Sequence, residues 1–187
     1  MTRSDQATEA VHIKTRIGHP SATRPSTDAL RSVFGTFATG ITVVTASSDA
    51  PLGMTANSFT SVSLSPPLVL VCVQREAAMH AAIIEDEMFA VSVLSSGQEQ
   101  LAKYFANRKR PRGEEEFALH DWVPGPHSGA PILAGALAWM ECRLTAVYDG
   151  GDHSIFLGSV LDLGRGAGDD ALLFHGGRFH RLVPDAA

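Results

Sequence analysis

The chain has little cysteine, no excess of basic residues and no long hydrophobic run. Only Cys72 and Cys142 occur among the 187 residues, each in an apolar, strand-like stretch, which indicates buried reduced thiols rather than a disulfide framework. The formal net charge of −5 argues against a dedicated nucleic-acid binder, which would normally be basic. The apolar run at residues 68–73 is far too short to cross a membrane.

The beginning of the chain also lacks an apolar h-region, so no secretory signal is apparent. Residues 1–27 contain Gly18, Pro20 and Pro25 without a sustained hydrophobic period, and we expect a flexible N-terminal segment there. The rest, residues 28–187, is long enough for one domain with its own core, since 44% of the chain is hydrophobic. These features predict a cytoplasmic protein that binds neither nucleic acid nor membrane.

The spacing of apolar residues predicts a few short helices. They cover residues 28–40, 77–87 and 98–106. Asp28 and Ser96 are placed to cap the first and third helices, and Gly40 is expected to end the first. Ile83 and Ile84 are expected to face inward from the second.

Strands outnumber helices in the pattern. The predicted strands are residues 41–46, 52–60, 68–73, 89–93, 137–147, 154–163, 172–174 and 179–182. Turn residues join the last four strands into two hairpins, through residues 149–152 and through Gly176-Gly177. Because strands and helices do not alternate as β-α-β units, a closed or nearly closed antiparallel barrel is favoured.

The segment from Gly53 to Pro67 carries the densest chemistry. It contains seven hydroxyl or amide side chains: Thr55, Asn57, Ser58, Thr60, Ser61, Ser63 and Ser65. Pro66 and Pro67 fix two φ angles and remove two donors, and a buried strand follows. Such a rigid polar wall suits a ligand with a polyol, a phosphate and a flat polar ring, and a flavin nucleotide has all three. The alternative is a Ser/Thr-rich edge strand with an ordinary turn.

Four motifs in a fixed order make this reading more specific. They are FATGITVVT at residues 37–45, SFTSVSLSPPL at 58–68, GGDHSIFLG at 150–158 and LLFHGGRF at 172–179. Over residues 30–182 the chain resembles the short flavin reductases that serve two-component, flavin-dependent monooxygenases. The resemblance implies a flavin reductase-like, FMN-binding split β-barrel, mainly β with a few helices. It also implies a homodimer that uses NADH or NADPH to reduce FMN or FAD for a partner monooxygenase.

The resemblance assigns the flavin to the polar wall. The residues it places along the ring and the ribityl chain are Thr55, Ala56, Asn57, Ser58, Ser61, Val62 and Ser63, with Thr39 and Gly40 as further neighbours. Fixed donors there would stabilise the negative charge that reduction places at N1 and the C2 carbonyl of the ring.

The phosphate end departs from the family pattern. Many relatives carry Ser or Thr after the Pro-Pro strand, whereas this chain has QREAAMH at residues 74–80. Arg75, or the N–H groups of the helix that follows, is expected to substitute. This departure leaves FMN and FAD both open.

His153 is the sharpest single candidate. A histidine in a hairpin turn is usually just exposed, but the resemblance implies that His153 lies on the nicotinamide side of the flavin, as a positioning group. Arg178 and Phe179 are expected to contact a phosphate and stack on a ring, the alternative being a plain hairpin pair. The glycine-rich residues 164–168 do not fit a dinucleotide loop, because Asp169 and Asp170 follow them.

The remaining charged groups allow weaker predictions. Residues 107–112 form a basic cluster followed by three glutamates, and a solvated, self-paired loop competes evenly with attraction of nucleotide phosphates. Arg108 is the candidate there. His175 and His180 lack the spacing of metal ligands, so no metal site is predicted.

The leading hypothesis is therefore an NAD(P)H:flavin oxidoreductase that treats flavin as a diffusing substrate. The alternatives are a flavoprotein electron carrier, an oxidase of the pyridoxamine-phosphate type with tightly held flavin, and a binding module without activity. The partner oxygenase and the choice between NADH and NADPH stay open.

Overall fold

The computed structural model describes residues 24–47, 49–168 and 170–182. Most of the predicted flexible N-terminal segment lies outside them. The α-helices in this part are α1 (Thr27–Phe34), α2 (Ala78–Asp86) and α3 (Glu99–Ala106). The strands are β1 (Thr39–Gly40), β2 (Thr42–Ala46), β3 (Leu52–Ala56), β4 (Thr60–Leu64), β5 (Pro67–Gln74), β6 (Met88–Val93), β7 (Trp122–Pro124), β8 (Pro131–Leu133), β9 (Ala138–Gly150), β10 (His153–Arg165), β11 (Leu172–His175) and β12 (Arg178–Arg181). Short 3₁₀ turns cover Ser96–Gln98 and Gly113–Glu116.

Seven strands form the main sheet, in the antiparallel order β3-β2-β6-β9-β10-β5-β4. Its two edge strands, β3 and β4, follow each other in the chain with only residues 57–59 between them. The four steps from Ala56 to Thr60 span at most about 14 Å. The edges of a flat seven-stranded sheet would lie about 29 Å apart. The sheet must therefore curve until its edges meet, and because β3 and β4 do not pair, the barrel is split. The predicted fold class is confirmed.

The core has two main parts. Phe89, Phe156 and Val71 fill the barrel together with Met79 and Ile83 of α2. A second cluster packs α3 against the other strands and contains Phe105, Phe117, Leu94 and Leu172. Together they hold the barrel and the outer elements as one body.

The ends of two helices differ from the prediction. Helix α1 is capped by Ser26, whose Oγ accepts a hydrogen bond from the N–H of Ala29 at 3.2 Å, and not by Asp28. It ends at Gly35 rather than Gly40, since Gly40 belongs to β1. Ser95 rather than Ser96 supplies the capping box of the third helical region. Cap side chains act over three residues, so a neighbouring polar residue in the sequence is easily mistaken for the cap.

The side chains of two helices also face differently from the expectation. Ile83 is fully buried but Ile84 is 48% exposed, because adjacent helix positions point about 100° apart. Helix α1 has no buried residue, and Val33 and Phe34 are exposed on it, as is Phe37 just after its end. Among the residues that the structure describes, this helix therefore has an uncovered apolar face.

Both predicted hairpins are present. Strands β9 and β10 have 13 residues each and pair from His153↔Gly150 to Arg165↔Ala138. Strands β11 and β12 pair across Gly176-Gly177 and join β1 in a three-stranded sheet. Gly164 and Arg165 are the last residues of β10, so the glycine-rich stretch does not open a helix.

Two further expectations concern thiols and membranes. Cys72 and Cys142 are both free, and burial raises the pKa of both thiols, that of Cys142 to about 12 with a further contribution from the Glu141 carboxylate. In the described residues, every helix is too short or too polar to serve as a membrane span.

Candidate functional site

A cavity of about 270 Å³ lies between the edge strand β3, the end of β5, the start of α2 and the segment that follows α3. Its lining residues are Leu52, Gly53, Met54, Thr55, Gln74, Glu76, Ala77, Ala78, Met79, Phe105, Ala106, Arg108, Arg110 and Arg112. Ligand pockets usually have volumes of ~300–1,000 Å³. The cavity therefore suits one end of a nucleotide-sized ligand.

Helix α3 forms one wall of the cavity because it docks closely on β3. The Thr55 hydroxyl donates to the carbonyl of Ala102 at 2.7 Å. Gly53 allows the close approach, since a Cβ there would lie 2.5 Å from the Phe105 ring. Glycine at residue 53 is thus required by packing.

The start of α2 gives the cavity an electropositive end. Ala77 is the N-cap residue and provides no side-chain hydrogen bond to the first turn. The first N–H groups of a helix lack intrahelical partners and favour an anion. Ala77 and Ala78 have small side chains, so these groups are accessible from the cavity that they line.

The basic cluster is divided between the surface and the interior. Arg108 is exposed and donates to the side-chain oxygen of Gln74. Arg112 is half-exposed, with Nη1 3.7 Å from Glu116 Oε2. Arg110, by contrast, is buried and pairs with Glu116 at 2.7 Å. For Arg110, the self-paired alternative therefore holds as to pairing but not as to solvation, since the ion pair with Glu116 is buried.

The predicted polar wall continues from the cavity into the link between β3 and β4. Asn57 is exposed there. Ser58 is different, because its Oγ accepts from the N–H of Cys72 at 3.0 Å and donates to the Cys72 carbonyl at 2.9 Å. The β4–β5 register places Thr60 opposite Leu70, so residue 58 falls opposite Cys72. The Ser58 hydroxyl thus replaces a backbone pair at the point where the chain leaves the sheet.

The other residues predicted for this wall have varied surroundings. Ala56 is buried, and its carbonyl accepts from the hydroxyl of Thr42. Ser61 and Val62 are exposed on β4, and a bulge at Val62 shifts the register before Ser63. In Thr39, the hydroxyl oxygen is buried without a hydrogen-bond partner.

Arg75 does not line the cavity. Its guanidinium pairs with Asp149 at 2.8 Å and donates to the Gly151 carbonyl at 3.0 Å. The Gly151 N–H and Arg75 together lower the pKa of the Asp149 carboxyl. Arg75 therefore ties β5 to the β9–β10 turn, and a phosphate-binding role for it stays a prediction.

His153 opens β10 directly beside the end of β5. It is paired across the strands with Gln74, so both side chains lie on one face of the sheet. Its Nδ1 contacts Asp152 Oδ1 at 2.7 Å, which lowers the pKa of the Asp152 carboxyl. His153 is thus the strand partner of Gln74, which lines the cavity and accepts from Arg108.

Arg178 and Phe179 are not among the residues that line the cavity. Phe179 packs on Phe174, and the Lys103 ammonium lies 5.8 Å from its ring centroid. The tip of this hairpin bonds to α1, with the Gly176 N–H donating to the Gly35 carbonyl at 2.8 Å. The hairpin starts beside Ile41 and Leu94, near the Arg165 end of β10, whereas His153 opens β10 at its other end. A ligand-binding role for Arg178 and Phe179 stays a prediction.

Two groupings were missed from the sequence. Arg110 and Glu116 meet in the cavity wall, although their charges looked like members of two solvated runs. His127, Glu141 and Asp162 have ligand-type atoms within 4.8 Å of one another. Buried Glu141 already accepts from the N–H groups of His127 and Ser128 and from the Ser128 hydroxyl, so local hydrogen bonding accounts for its burial.

The described residues thus form a split β-barrel with a cavity lined by three arginines. The chain belongs to the flavin reductase-like domain family, whose model matches residues 34–183.

Individual relatives agree with this assignment. An NADH-dependent FAD reductase of Streptomyces globisporus is 55% identical over 157 residues, which cover 84% of this chain and 86% of the relative. An FMN reductase (NADH), SmoA, of Agrobacterium fabrum is 42% identical over 82% of this chain and 85% of its own length. The crystal structure of BorF, the flavin reductase component of a bacterial two-component tryptophan halogenase, matches with a TM-score of 0.81 and 52% identity over 84% of this chain and 98% of that chain.

Proposed function

We propose that this protein is an NAD(P)H:flavin oxidoreductase and that residues 28–187 form its catalytic domain. The observation that carries the proposal is the position of the cavity. The cavity is lined by the start of α2, by Arg108 and Arg112, and by Met54 and Thr55 of β3, the strand that leads into the polar link at residues 57–59. The arginines and the start of α2 suit an anionic phosphate, and the polar residues of β3 and the link suit the ribityl chain and ring of a flavin.

The flavin phosphate is assigned to the electropositive end. Arg108 and Arg112 supply charge, and the first N–H groups of α2 supply donors, so no Ser or Thr is needed after β5. The ribityl chain and ring then extend past Thr55 to Asn57, whose amide is exposed. Ser61, Val62 and Ser63 lie beyond, on β4.

The nicotinamide is assigned to the side of His153. Asp152 holds Nδ1 of the imidazole, so that Nε2 is the atom left for a ligand. Bound flavin would accept a hydride from the nicotinamide, and this step needs alignment of the two rings rather than a protein acid or base. His153 therefore acts by positioning.

The relatives guide the choice of substrates. One is named for NADH and FAD and another for NADH and FMN, so we assign NADH as the donor and accept both flavins. Other relatives are reductase components of monooxygenases acting with a second protein. Reduced flavin passing to a partner monooxygenase in the cytoplasm is the corresponding role here.

A second copy of this chain is the proposed cover for helix α1. Val33 and Phe34 of α1, with Phe37 just after it, form an apolar surface that is exposed among residues 24–47, 49–168 and 170–182, and exposed apolar faces of this kind mark association surfaces. Because this face lies beside the β11–β12 hairpin, a homodimer would also bury the region of Arg178 and Phe179.

Steady-state oxidation of NADH with added FMN, FAD or riboflavin tests the function. We expect the rate to rise with added flavin and to saturate in the micromolar range, equivalent to about −8 kcal/mol of binding free energy. Protein purified without added flavin should be nearly colourless. A stoichiometric yellow cofactor that survives dialysis, with activity independent of added flavin, would instead support the electron carrier.

A further inference from the structure

The buried ion pair between Arg110 and Glu116 is unexplained by ligand binding alone. Arg110 Nε lies 2.7 Å from Glu116 Oε1, and the two side chains are 4% and 0% exposed. Burying two charges is unfavourable unless further hydrogen bonds satisfy them. The partners of this pair therefore indicate what it does.

Gly53 is the shared partner. Its N–H donates to Glu116 Oε1 at 3.0 Å, and its carbonyl accepts from an Arg110 Nη2. Gly53 belongs to β3, an edge strand of the main sheet, so these backbone groups have no neighbouring strand on that side. The ion pair completes the edge strand in place of a backbone ladder.

The same pair organises the segment that follows α3. Arg110 also donates to the Asn107 carbonyl at 2.9 Å, and the Tyr104 hydroxyl donates to the Glu116 carbonyl at 2.9 Å. Both ends of the segment are thereby fixed to β3 and α3. Glu116 Oε2 is buried without a hydrogen-bond partner, and Arg112 Nη1 lies 3.7 Å from it.

The three arginines that line the cavity differ in how their charges are paired. Arg110 is neutralised by Glu116, whereas Arg108 is bonded to the uncharged Gln74. Arg108 and Arg112 stand two residues to either side of Arg110, and all three line the cavity. Glu76 lines it too and is exposed, as Arg108 and Arg112 are, so its single negative charge leaves these three exposed groups with a net positive charge.

We propose that Arg110 and Glu116 are positioning residues that hold Arg108 and Arg112 as the phosphate-binding cations of the cavity. The inference rests on the proposed function, because it assumes that the phosphate of a flavin nucleotide occupies this end. Beyond that function, we infer that the buried pair of Arg110 and Glu116, which does not contact the phosphate, makes the protein bind FMN and FAD more tightly than riboflavin.

The test compares ligands with and without a phosphate. Riboflavin, FMN and FAD are titrated into flavin-free protein by fluorescence quenching, which needs no nicotinamide. For Glu116→Gln and Arg110→Lys we expect FMN affinity to fall by about tenfold while riboflavin affinity changes by less than about twofold. Arg110→Lys is the sharper variant, because it retains the charge but one ammonium cannot replace the guanidinium fork between Glu116, Gly53 and Asn107.

The matched control is Lys109→Gln. Lys109 carries the same charge in the same segment, but it is exposed and does not line the cavity. It should bind all three flavins as the unmodified protein does. Arg112→Gln should reproduce the selective loss of FMN affinity.

Three results would overturn the proposal. Riboflavin and FMN affinities that fall equally in Glu116→Gln would mean that the pair only supports the fold, and wild-type FMN affinity in Arg110→Lys would mean that charge alone matters. If the unmodified protein bound riboflavin and FMN with equal affinity, Arg108 and Arg112 would not bind the phosphate. If the single variants do not fold, Arg110→Met combined with Glu116→Leu removes both buried charges together, and it should bind riboflavin normally but lose the preference for FMN.

Failure of the proposed function looks different. In that case the unmodified protein would bind none of the three flavins, or would not oxidise NADH in their presence.

Discussion

At the scale of single residues, Ser58 shows how one hydroxyl can serve the fold and free the backbone for a ligand. It donates to and accepts from the backbone of Cys72, which is the pairing that a strand residue would otherwise make. The chain can then turn out of the sheet at Asn57 without leaving Cys72 unsatisfied. The part that Ser58 plays in the proposed flavin site is therefore to support the backbone there.

Replacing Ser58 by Ala should destabilise the protein. Two half-buried backbone groups of Cys72 lose their partner; a fully buried unsatisfied group costs about 1–3 kcal/mol, and we expect a loss towards the lower end of that range. Urea unfolding followed by circular dichroism measures the change, with Ser61→Ala on exposed β4 as the control. Equal stability of the two variants would contradict the role given to the Ser58 hydroxyl.

Gly53 provides a second test at this scale. A methyl group there would lie 2.5 Å from the Phe105 ring, so Gly53→Ala should force Phe105 to move and cost about 1–3 kcal/mol. Gly97 has nothing within 4 Å of the same added atom, and Gly97→Ala is the control. Thermal unfolding of both variants compares them, and a stable Gly53→Ala protein would count against the tight docking of α3.

Two histidines should make the protein less stable in mild acid. Burial, with repulsion from Arg75, lowers the pKa of His80, and burial lowers that of His120. Unfolded histidine titrates near pH ~6.5, so below that pH the unfolded chain binds more protons than the folded one and stability decreases. His80→Gln removes one of these groups and can still face the Ser154 hydroxyl, which lies 2.9 Å from His80 Nε2.

The measurement is the urea midpoint at several pH values between about 7 and 5. The decrease on acidification should be smaller in His80→Gln than in the unmodified protein. Parallel pH profiles would show that His80 does not contribute to it.

The residue types of the candidate site could be predicted from the sequence. Which of several similar neighbouring residues is buried or hydrogen-bonded could not. The polar wall, Arg108 and His153 were proposed from residue type and motif order; the structure places Arg108 in the cavity lining and His153 opposite Gln74, and their ligand-binding roles stay predictions. Arg110 could not be separated from Lys109, since its burial depends on Glu116 and on Gly53, which is 57 residues away in the chain. Similarly, nothing local shows that the Ser58 hydroxyl belongs to Cys72.

At the scale of elements, the β9–β10 hairpin connects the candidate nicotinamide site to the rest of the sheet. The sequence predicted this hairpin because Asp-Gly-Gly-Asp separates two apolar, strand-like runs. The caps of α1 and of the third helical region were missed by one or two residues, and Ile84 was wrongly placed inside. These errors arise where neighbouring residues have the same chemical character and only the tertiary contacts choose between them.

The tip of this hairpin should affect nicotinamide use more than flavin binding. We expect His153→Ala to raise the KM for NADH by about tenfold, since a positioning hydrogen bond is lost, while FMN affinity stays nearly unchanged. Asp152→Asn, which keeps a hydrogen-bonding group next to Nδ1, should have a smaller effect. Steady-state kinetics with NADH and a separate FMN titration measure both quantities, and an unchanged KM in His153→Ala would exclude the assignment.

At the scale of the whole molecule, the uncovered face of α1 predicts association. Val33→Asp combined with Phe37→Asp places two charges on this face, so we expect the variant to elute as a monomer in size-exclusion chromatography with light scattering. Leu119→Asp introduces a charge at an exposed apolar residue away from α1 and serves as the control. An unmodified protein that is already monomeric would contradict the homodimer.

The short link between β3 and β4 has a consequence for dynamics. The same residues 57–59 bring the two edges of the sheet together and belong to the proposed flavin wall, so a ligand that binds them also opposes separation of the edges. Hydrogen exchange should then slow on both sides of the split when flavin is added, at Thr60 to Leu64 as well as at Leu52 to Ala56. Bound flavin would therefore hold the two edges of the barrel together, and the edges would become free to separate again when the flavin leaves.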